Sequence, residues 1–494
     1  MTRRMLVAAA ALVIPSPLAA APILAPPPPH FGPGVQPFVS VAPGQIALTH
    51  VRVIDGTGAV PVEDATILID GPKIAAVQPA AAAIAPGYRV IDGSGETVLP
   101  GIVGMHNHMF YVARPNLDAS GHSEDLRLLP QMTFSAPRLY LANGVTTMRT
   151  TGSVEPYADI NVKAAIDSGK MVGPHMDVTA PYLEGPGSPF IQMHELRDAA
   201  EARATVAFWA DQGATSFKAY MHITRAELKA AIDEVHRRHL KITGHLCSVT
   251  YPEAAALGID NLEHGFFVNT QLDPGKQPDA CSEGAGTPTL VKMTPGSPEA
   301  NALIKLLIDH HVAVTSTLPV FEQLVPMHAP LQPRAMAVLT PQARNDYLYL
   351  RNLVAERGSS ERLKTFAVAY KNDLGLERQF VAAGGLLLAG PDPTGNGGVI
   401  PGFGDQREIE LLVEAGFTSV EAIRIATLNG ATYLGLQDRI GSIAPGKDAD
   451  LMVVKGNPAE KIADIESVVT VFKDGTGFDS AKLIESVQGR YGEY

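Results

Sequence analysis

The stretch VLPGIVGMHNH, residues 98–108, decides how the middle of this sequence is interpreted. Its first part is a run of apolar and small residues that has the character of a buried strand, and it ends in His106-Asn107-His108. Residues two apart in a strand point to the same side, so both imidazoles share one side while Asn107 points away. One strand can thereby offer two nitrogen ligands to one metal ion. Alone, the pair is equally compatible with satisfied core histidines.

Four later segments favour a metal site over satisfied core histidines, because in each of them an apolar strand ends in a polar residue. The four residues are Lys218, His245, His264 and Asp392. A charged ammonium is costly at the end of an apolar strand. Core histidines have no reason to fall at the functional ends of different strands. The pattern therefore predicts a metal site rather than a set of ionic residues that merely satisfy one another.

Strand-like and helix-like segments alternate through the middle of the chain. The candidate strands are 101–108, 145–150, 176–181, 215–220, 241–245, 261–263, 313–317 and 386–389. The clearest helix covers residues 224–239, where Thr224 and Glu227 form a capping-box pattern. Strands that alternate with helices indicate a parallel sheet, and eight of them close as a (β/α)8 TIM-like barrel. The polar residues should then meet at the carboxyl ends of the strands.

Short β-type runs broken by turn signals occupy both ends of the chain. They predict a small β-sandwich domain built from residues 46–98 and 439–494, with the barrel at 99–438. The first residues carry two arginines, an apolar run and then small residues, which is typical of a signal peptide over 1–21. Residues 22–45 form a proline-rich lead segment. We therefore expect a periplasmic or secreted protein.

Three motifs give the chain a family resemblance. Val51–Gly58, Leu99–Val103 before the two histidines, and Ile443–Leu451 all match the amidohydrolase superfamily. Within it, the chain resembles the group of metal-dependent Xaa-Pro dipeptidases, imidazolonepropionases and related carboxypeptidase-like enzymes. The resemblance covers nearly everything after the lead segment.

The resemblance implies a role for each polar residue. His106 and His108 would hold the more buried of two divalent ions, most simply Zn²⁺, and His245 and His264 the more exposed one. Lys218 matches the lysine that reacts with carbon dioxide and bridges the ions as a carbamate. An apolar site lowers a lysine pKa, and the neutral amine can add carbon dioxide, whereas an ammonium cannot bind a cation. Asp392 would touch the buried ion and carry the catalytic proton, with His194 or Glu263 next in line.

The resemblance favours a hydrolase that acts on the amide bond of a dipeptide or an N-acyl amino acid. Arg149, Tyr220 and His222 lie at or just after strand ends, as Tyr182 does, and are candidates for binding a substrate carboxylate or carbonyl. Other activities stay open on the same scaffold: hydrolysis of a cyclic amide such as an imidazolone, of an ester or of an organophosphate, or a lyase or isomerase reaction. A non-catalytic metal- or ligand-binding protein is a further alternative.

Composition limits the partners. The net charge of −12 over 494 residues disfavours nucleic acid, whose binders concentrate Lys and Arg on one face. We expect a small-molecule or short-peptide substrate, no membrane span after signal cleavage, and a homo-oligomer. The two cysteines, Cys247 and Cys281, are equally compatible with a disulfide and with two free thiols.

Overall fold

The computed structural model describes residues 22–28, 30–111, 128–188, 190–394 and 397–492, so the predicted signal peptide lies outside the described residues. The strands are β1 (Val39–Val41), β2 (Gln45–Val53), β3 (Val62–Asp70), β4 (Lys73–Pro79), β5 (Arg89–Asp92), β6 (Glu96–Pro100), β7 (Ile102–Asn107), β8 (Val145–Thr150), β9 (His175–Asp177), β10 (Ser216–Ala219), β11 (Lys241–Gly244), β12 (Asn261–Glu263), β13 (Ala313–Ser316), β14 (Leu387–Ala389), β15 (Leu451–Lys455), β16 (Val468–Lys473) and β17 (Thr476–Asp479). The α-helices are α1 (Ala136–Ala142), α2 (Pro156–Asp167), α3 (Ala199–Asp211), α4 (Arg225–Arg237), α5 (Tyr251–Leu257), α6 (Thr287–Lys292), α7 (Pro298–Asp309), α8 (Leu318–Glu322), α9 (Pro333–Val338), α10 (Pro341–Glu356), α11 (Glu361–Ala382), α12 (Phe403–Glu414), α13 (Ser419–Arg424), α14 (Gly430–Leu434) and α15 (Ser480–Glu485). None of the helices in these ranges is long and apolar enough to cross a membrane.

Strands β7 to β14 form the predicted barrel. Strands β7, β8 and β9 pair in parallel, and β10 to β14 form a second parallel set. A parallel bridge between Thr179 and Ser216 joins the two sets on one side. On the other side the Asp392 N–H donates to the His106 carbonyl at 3.0 Å, which ties the end of β14 to β7. The α/β barrel expected from the alternating pattern is therefore confirmed.

All eight predicted barrel strands are present, and most bounds agree within one or two residues. The largest difference is β9, which ends at Asp177 because the chain beyond it pairs only through isolated bridges. Helix α4 has the predicted capping box between Thr224 and Glu227. It ends at Arg237, two residues earlier than predicted, and the backbone of His239 is left-handed with φ of 58°.

The small domain is one mixed sheet with the strand order β1-β17-β16-β15-β6-β2-β3-β4, and β5 pairs with β2. Strand β15, from the end of the chain, lies antiparallel to β6 and joins the two halves of the domain. The apolar faces of both halves share one core. Because β1 pairs with β17, the sheet begins inside the segment that the sequence predicted to be only a proline-rich lead.

The remainder of that lead segment packs along the amino ends of the barrel strands. Leu24 is buried in a cluster with Val103, Ala313 and Tyr433. Further along, the Gly32 N–H donates to the Gly169 carbonyl at 2.8 Å. The lead therefore covers the barrel end opposite the predicted metal site, although it has no core of its own.

Cys247 and Cys281 form a disulfide, with their Cα atoms 4.7 Å apart. The sequence was compatible with both a bond and two thiols, because it does not fix the separation of the two residues. The bond ties the loop that follows His245, at the end of β11, to the segment before α6. It therefore constrains a loop next to the predicted metal site.

Candidate active site

Six predicted ligands converge at the carboxyl ends of five barrel strands. They are His106 and His108 from β7, Lys218 from β10, His245 after β11, His264 after β12 and Asp392 after β14. We call this set the carboxyl-end cluster. The ring of His264 lies 4.6 Å from that of His106 and 4.3 Å from that of His245, measured between centroids. Lys218 Nζ donates to His106 Nε2 at 3.3 Å.

His106, His108 and Asp392 form the tightest part of the cluster, and all three are buried. One carboxylate oxygen of Asp392, Oδ1, lies 3.2 Å from His108 Nε2 and 3.7 Å from His106 Nε2. Ligands that share one zinc ion sit about 2.0–2.2 Å from it and therefore roughly 3–3.6 Å from one another. Asp392 adopts a left-handed backbone with φ of 50°, which costs on the order of 1 kcal/mol and is typical of functional positions. The three side chains are spaced to share one ion.

Glu263 orients the cluster from below, deep inside the barrel. Its carboxylate accepts a hydrogen bond from His106 Nδ1 at 2.6 Å and another from Arg149 Nη2 at 2.7 Å. Asn261 and Thr243 supply two more donors. A carboxylate behind a histidine fixes its tautomer and leaves the other nitrogen free for a metal. The sequence indicated Glu263 only as an alternative proton carrier. The sequence feature that could have located it near the cluster is that it directly precedes His264.

His264 is held in a similar way. Its Nδ1 lies 2.8 Å from Thr317 Oγ1, while its Nε2 is buried and has no hydrogen-bond partner among the described residues. An unpaired polar atom in the interior costs free energy. A bound cation would use the free Nε2, so this orphaned nitrogen fits a metal ligand.

Burial sets the protonation states of the cluster. It lowers the pKa of Lys218 to about 8, that of His108 to about 4 and that of His245 to about 3. Burial alone would raise the pKa of Asp392, but His106 and His108 outweigh it and hold that pKa well below its usual range. Near neutral pH the imidazoles are therefore neutral and Asp392 is ionised, which are the states that bind metal ions.

A cavity of about 240 Å³ opens above the cluster. Part of its lining consists of cluster residues, and Tyr182, Tyr220 and Thr394 add hydroxyl groups. The apolar remainder of the lining, which we call the apolar wall, consists of Phe110, Leu129, Phe190, Met193, Val320 and Phe321. The cavity can therefore take a small molecule whose scissile group faces the cluster.

The three residues proposed to bind substrate occupy different places. Tyr220 lines the cavity, as the sequence indicated. Arg149 does not, because it is buried beneath the cluster and donates to Glu263 and to the Met105 carbonyl. His222 lies outside the cavity, with its Nδ1 3.4 Å from a carboxylate oxygen of Glu184. The structure therefore does not place Arg149 or His222 where it could contact a substrate in the cavity. A position at a strand end can be predicted from the sequence, but the direction of the side chain cannot.

A second buried group of possible metal ligands lies at the amino end of the barrel. It consists of His175, Asp450 and Asp474, and we call it the amino-end cluster. His175 Nε2 is 3.3 Å from Asp474 Oδ2 and 3.7 Å from Asp450 Oδ2. This cluster could not be predicted from sequence patterns, because its members come from β9 and from the two strand ends around β15 and β16.

Comparison with known proteins gives a consistent result. A family profile described as "Amidohydrolase family" matches residues 97–355 and 390–477. An imidazolonepropionase from Porphyromonas gingivalis strain ATCC BAA-308 / W83 is 24% identical over 433 residues, which span 83% of this chain and 86% of that protein.

Two solved structures show the shared fold. A Xaa-Pro dipeptidase with bound methionine in its active site superposes with a TM-score of 0.64 at 20% identity, over 88% of this chain and 100% of that one. Ochratoxinase from A. niger superposes with a TM-score of 0.62 at 18% identity, over 88% of this chain and 95% of that one. At these identities the likeness concerns the fold alone.

Proposed function

This chain belongs to the amidohydrolase family and hydrolyses carbon–nitrogen bonds; from that premise we propose that it uses two divalent metal ions to cleave the amide bond of a dipeptide or an N-acyl amino acid. The single observation that carries the proposal is the carboxyl-end cluster itself. Six polar side chains that converge in a mostly buried site would be costly without a cation. The free Nε2 of His264 and the Nε2 of His106, whose Nδ1 is held by Glu263, are suited to accept one.

His106, His108 and Asp392 would hold one ion, and His245 and His264 the other. Nitrogen and carboxylate ligands suit Zn²⁺ best among common ions, while Mn²⁺, Co²⁺ and Fe²⁺ are compatible. When bound, such ions lower the pKa of a water molecule and polarise a carbonyl group.

We propose that Lys218, converted to a carbamate, would supply an anionic oxygen ligand for the ions. With a pKa of about 8, roughly a tenth of the side chain is the neutral amine at pH 7. That amine adds carbon dioxide at Nζ, releases one proton and becomes an anionic oxygen ligand. The rings of Tyr182 and Tyr220 lie 5.2 and 5.7 Å from Nζ. Burial of Lys218 lowers its pKa and thereby makes the uncharged amine available.

Asp392 is the proton carrier in this proposal. It is ionised near neutral pH and lines the cavity, so it can accept a proton as water attacks the scissile carbonyl. The same proton then passes to the departing nitrogen. The carbon–oxygen bond forms first, as water adds to the carbonyl carbon; the carbon–nitrogen bond then breaks as the nitrogen takes up the proton, and an acid and an amine result. Glu263 and Arg149 only position His106, since neither reaches the cavity.

A substrate panel tests this assignment. Dipeptides and N-acyl amino acids should be hydrolysed to an acid and an amine, with product analysis separating hydrolysis from lyase or isomerase chemistry. The main competing candidate is a cyclic amide, favoured by the similarity to imidazolonepropionase. Preference for imidazolone or hydantoin rings, aryl esters or organophosphate triesters over every linear amide would overturn the proposed substrate and keep the hydrolase. Turnover of none would favour a binding protein.

Elemental analysis tests the metal site. We expect close to two divalent ions per chain, zinc foremost, and loss of activity on treatment with a strong chelator that returns when zinc is restored. Protein with no tightly held transition metal and with activity untouched by the chelator would contradict the proposal.

We also propose a periplasmic or secreted location and a homo-oligomeric state. The arginines and apolar run of residues 1–18 support export, and the Cys247–Cys281 disulfide suits an oxidising compartment. Cell fractionation with amino-terminal sequencing of the mature protein tests the first point, and light scattering tests the second. Full-length protein in the cytoplasm, or a monomer, would contradict them respectively.

A further inference from the structure

The apolar wall is the least explained part of the cavity. Of its six residues, three are phenylalanines, and Phe110 and Leu129 are almost fully buried while still lining the cavity. Together with Tyr182 they form a separate hydrophobic cluster, against which Phe190 and Met193 pack. Neither ion binding nor proton transfer needs such a surface, so it must serve something else that enters the cavity.

The rings of this wall are held in place by other rings. Phe110 stacks on His108 with a centroid separation of 4.3 Å and an interplanar angle of 22°. Phe321 stacks on Phe267 at 3.8 Å and 13° and presents its edge to His264 at 5.6 Å. Preformed aromatic surfaces favour flat apolar ligands, since aromatic pairs gain free energy beyond the area that they bury.

Charge at the wall favours the same kind of ligand. Among the described residues, the cations that line the cavity are confined to Lys218 in the carboxyl-end cluster. Arg149 is engaged by Glu263 beneath the cluster, and His222 lies beside Glu184 outside it. A carboxylate placed against this wall would lose its hydration without a charged partner among the described residues. The described part of the wall therefore suits a neutral group.

We propose that the apolar wall is a subsite for a neutral aromatic ring carried by the substrate next to its scissile amide. The inference rests on the proposed amide hydrolysis and narrows its substrate class. A cavity of about 240 Å³ has room for a ring plus an amide group, since an apolar cavity of about 150 Å³ holds benzene. Phe190 and Phe321, which are partly exposed, would contact the ring.

Matched compounds test the subsite by turnover. N-acetylalanine amide, N-acetylphenylalanine amide and N-phenylacetylalanine amide differ in the presence and side of a ring, and N-acetylalanine adds a carboxylate without a ring. At least one ring-bearing amide should have a kcat/KM about 10-fold or more above that of N-acetylalanine amide. Equal use of all three amides, or a carboxylate effect larger than the ring effect, would overturn the subsite.

Variants locate the effect on the wall. Phe190→Ala should remove most of the ring preference and Phe190→Leu part of it, whereas Phe190→Arg should shift preference toward N-acetylalanine. Phe208→Ala is the control, because this exposed ring lies on α3 and does not line the cavity. A ring preference that survives Phe190→Ala and Phe321→Ala alike would place the ring elsewhere and contradict the proposal.

Binding separates this inference from the proposed function. In Asp392→Asn protein, titration calorimetry should give a Kd for the favoured ring-bearing amide about 10-fold or more below that of N-acetylalanine amide. Such selectivity without hydrolysis of any amide by the native enzyme would support the subsite and contradict the function. Hydrolysis of the amides without a preference for a ring in either assay would support the proposed function and contradict the subsite.

Discussion

The two ends of the barrel carry nearly the same side chains and put them to different uses. At the carboxyl end, His106, His108 and Asp392 have nitrogen–oxygen separations of 3.2 and 3.7 Å. At the amino end, His175, Asp450 and Asp474 have separations of 3.3 and 3.7 Å. Residue types and distances alone would assign a metal ion to both.

Charge and access distinguish the two clusters. Buried Lys473, next to Asp474 in sequence, is a built-in counter-ion at the amino end. Burial raises the pKa of Asp450 well above its usual range, and burial together with Lys473 lowers that of His175. The amino-end cluster can thus balance its own charge, and the nearest cavity is only about 90 Å³ and lined by the lead segment. The carboxyl-end cluster opens into the larger cavity and contains Lys218, whose pKa burial lowers to about 8.

The largest effect is expected from Lys218→Ala. It removes the bridging anion, so bound metal and activity should both fall to background, and a short-chain acid such as acetate should partly restore both. Lys163→Ala is the matched control, since Lys163 is also a buried lysine but lies near the amino end and pairs with Asp167. Elemental analysis and turnover read out the result. Retained metal in Lys218→Ala would refute the carbamate.

Asp392→Asn should have the next largest effect. Five other ligands remain, so most of the metal should stay, while turnover falls by about 10² or more because the proton carrier is lost. Asp450→Asn makes the same change at the amino end and should leave kcat and metal content unchanged. Near-full activity of Asp392→Asn across the pH range would place the proton carrier elsewhere.

Lys473→Met tests whether the amino-end cluster is an ion-pair network. Removal of one partner of a buried charge network costs about 3–5 kcal/mol of stability. We therefore expect a lower free energy of unfolding in urea with two ions per chain still bound. Loss of an ion in Asp450→Asn, or a third ion in the native protein, would show that both clusters hold metal.

The smallest effect concerns pH. The raised pKa of Asp450 means that the folded protein binds its proton more tightly than the unfolded chain. The resulting stability is fully present below the unfolded pKa near 4 and is lost as pH rises through the folded pKa. Asp450→Asn mimics the protonated acid, so its free energy of unfolding should fall less than that of the native protein as pH rises from 5 to 9. Parallel curves would contradict this protonation state.

Much of the carboxyl-end cluster could be predicted because strand periodicity and barrel topology together fix where strand ends meet. The β7 pair shows this most directly, since alternate strand residues must share a side. Arg149 was misjudged because a strand end tells position and not direction, and its guanidinium turns inward to Glu263. The amino-end cluster was missed because His175, Asp450 and Asp474 are brought together only by tertiary packing.

The small sheet has a consequence for how the chain acquires its structure during synthesis. Strand β6 pairs with β15, so Val98 cannot pair with Val453 until Val453 has left the ribosome. Until then β6 presents an unpaired edge, and contacts so distant in sequence make folding slow. Nascent chains that have made the whole barrel but lack β15 to β17 are therefore the species most exposed to aggregation, and they are the ones on which a chaperone would act.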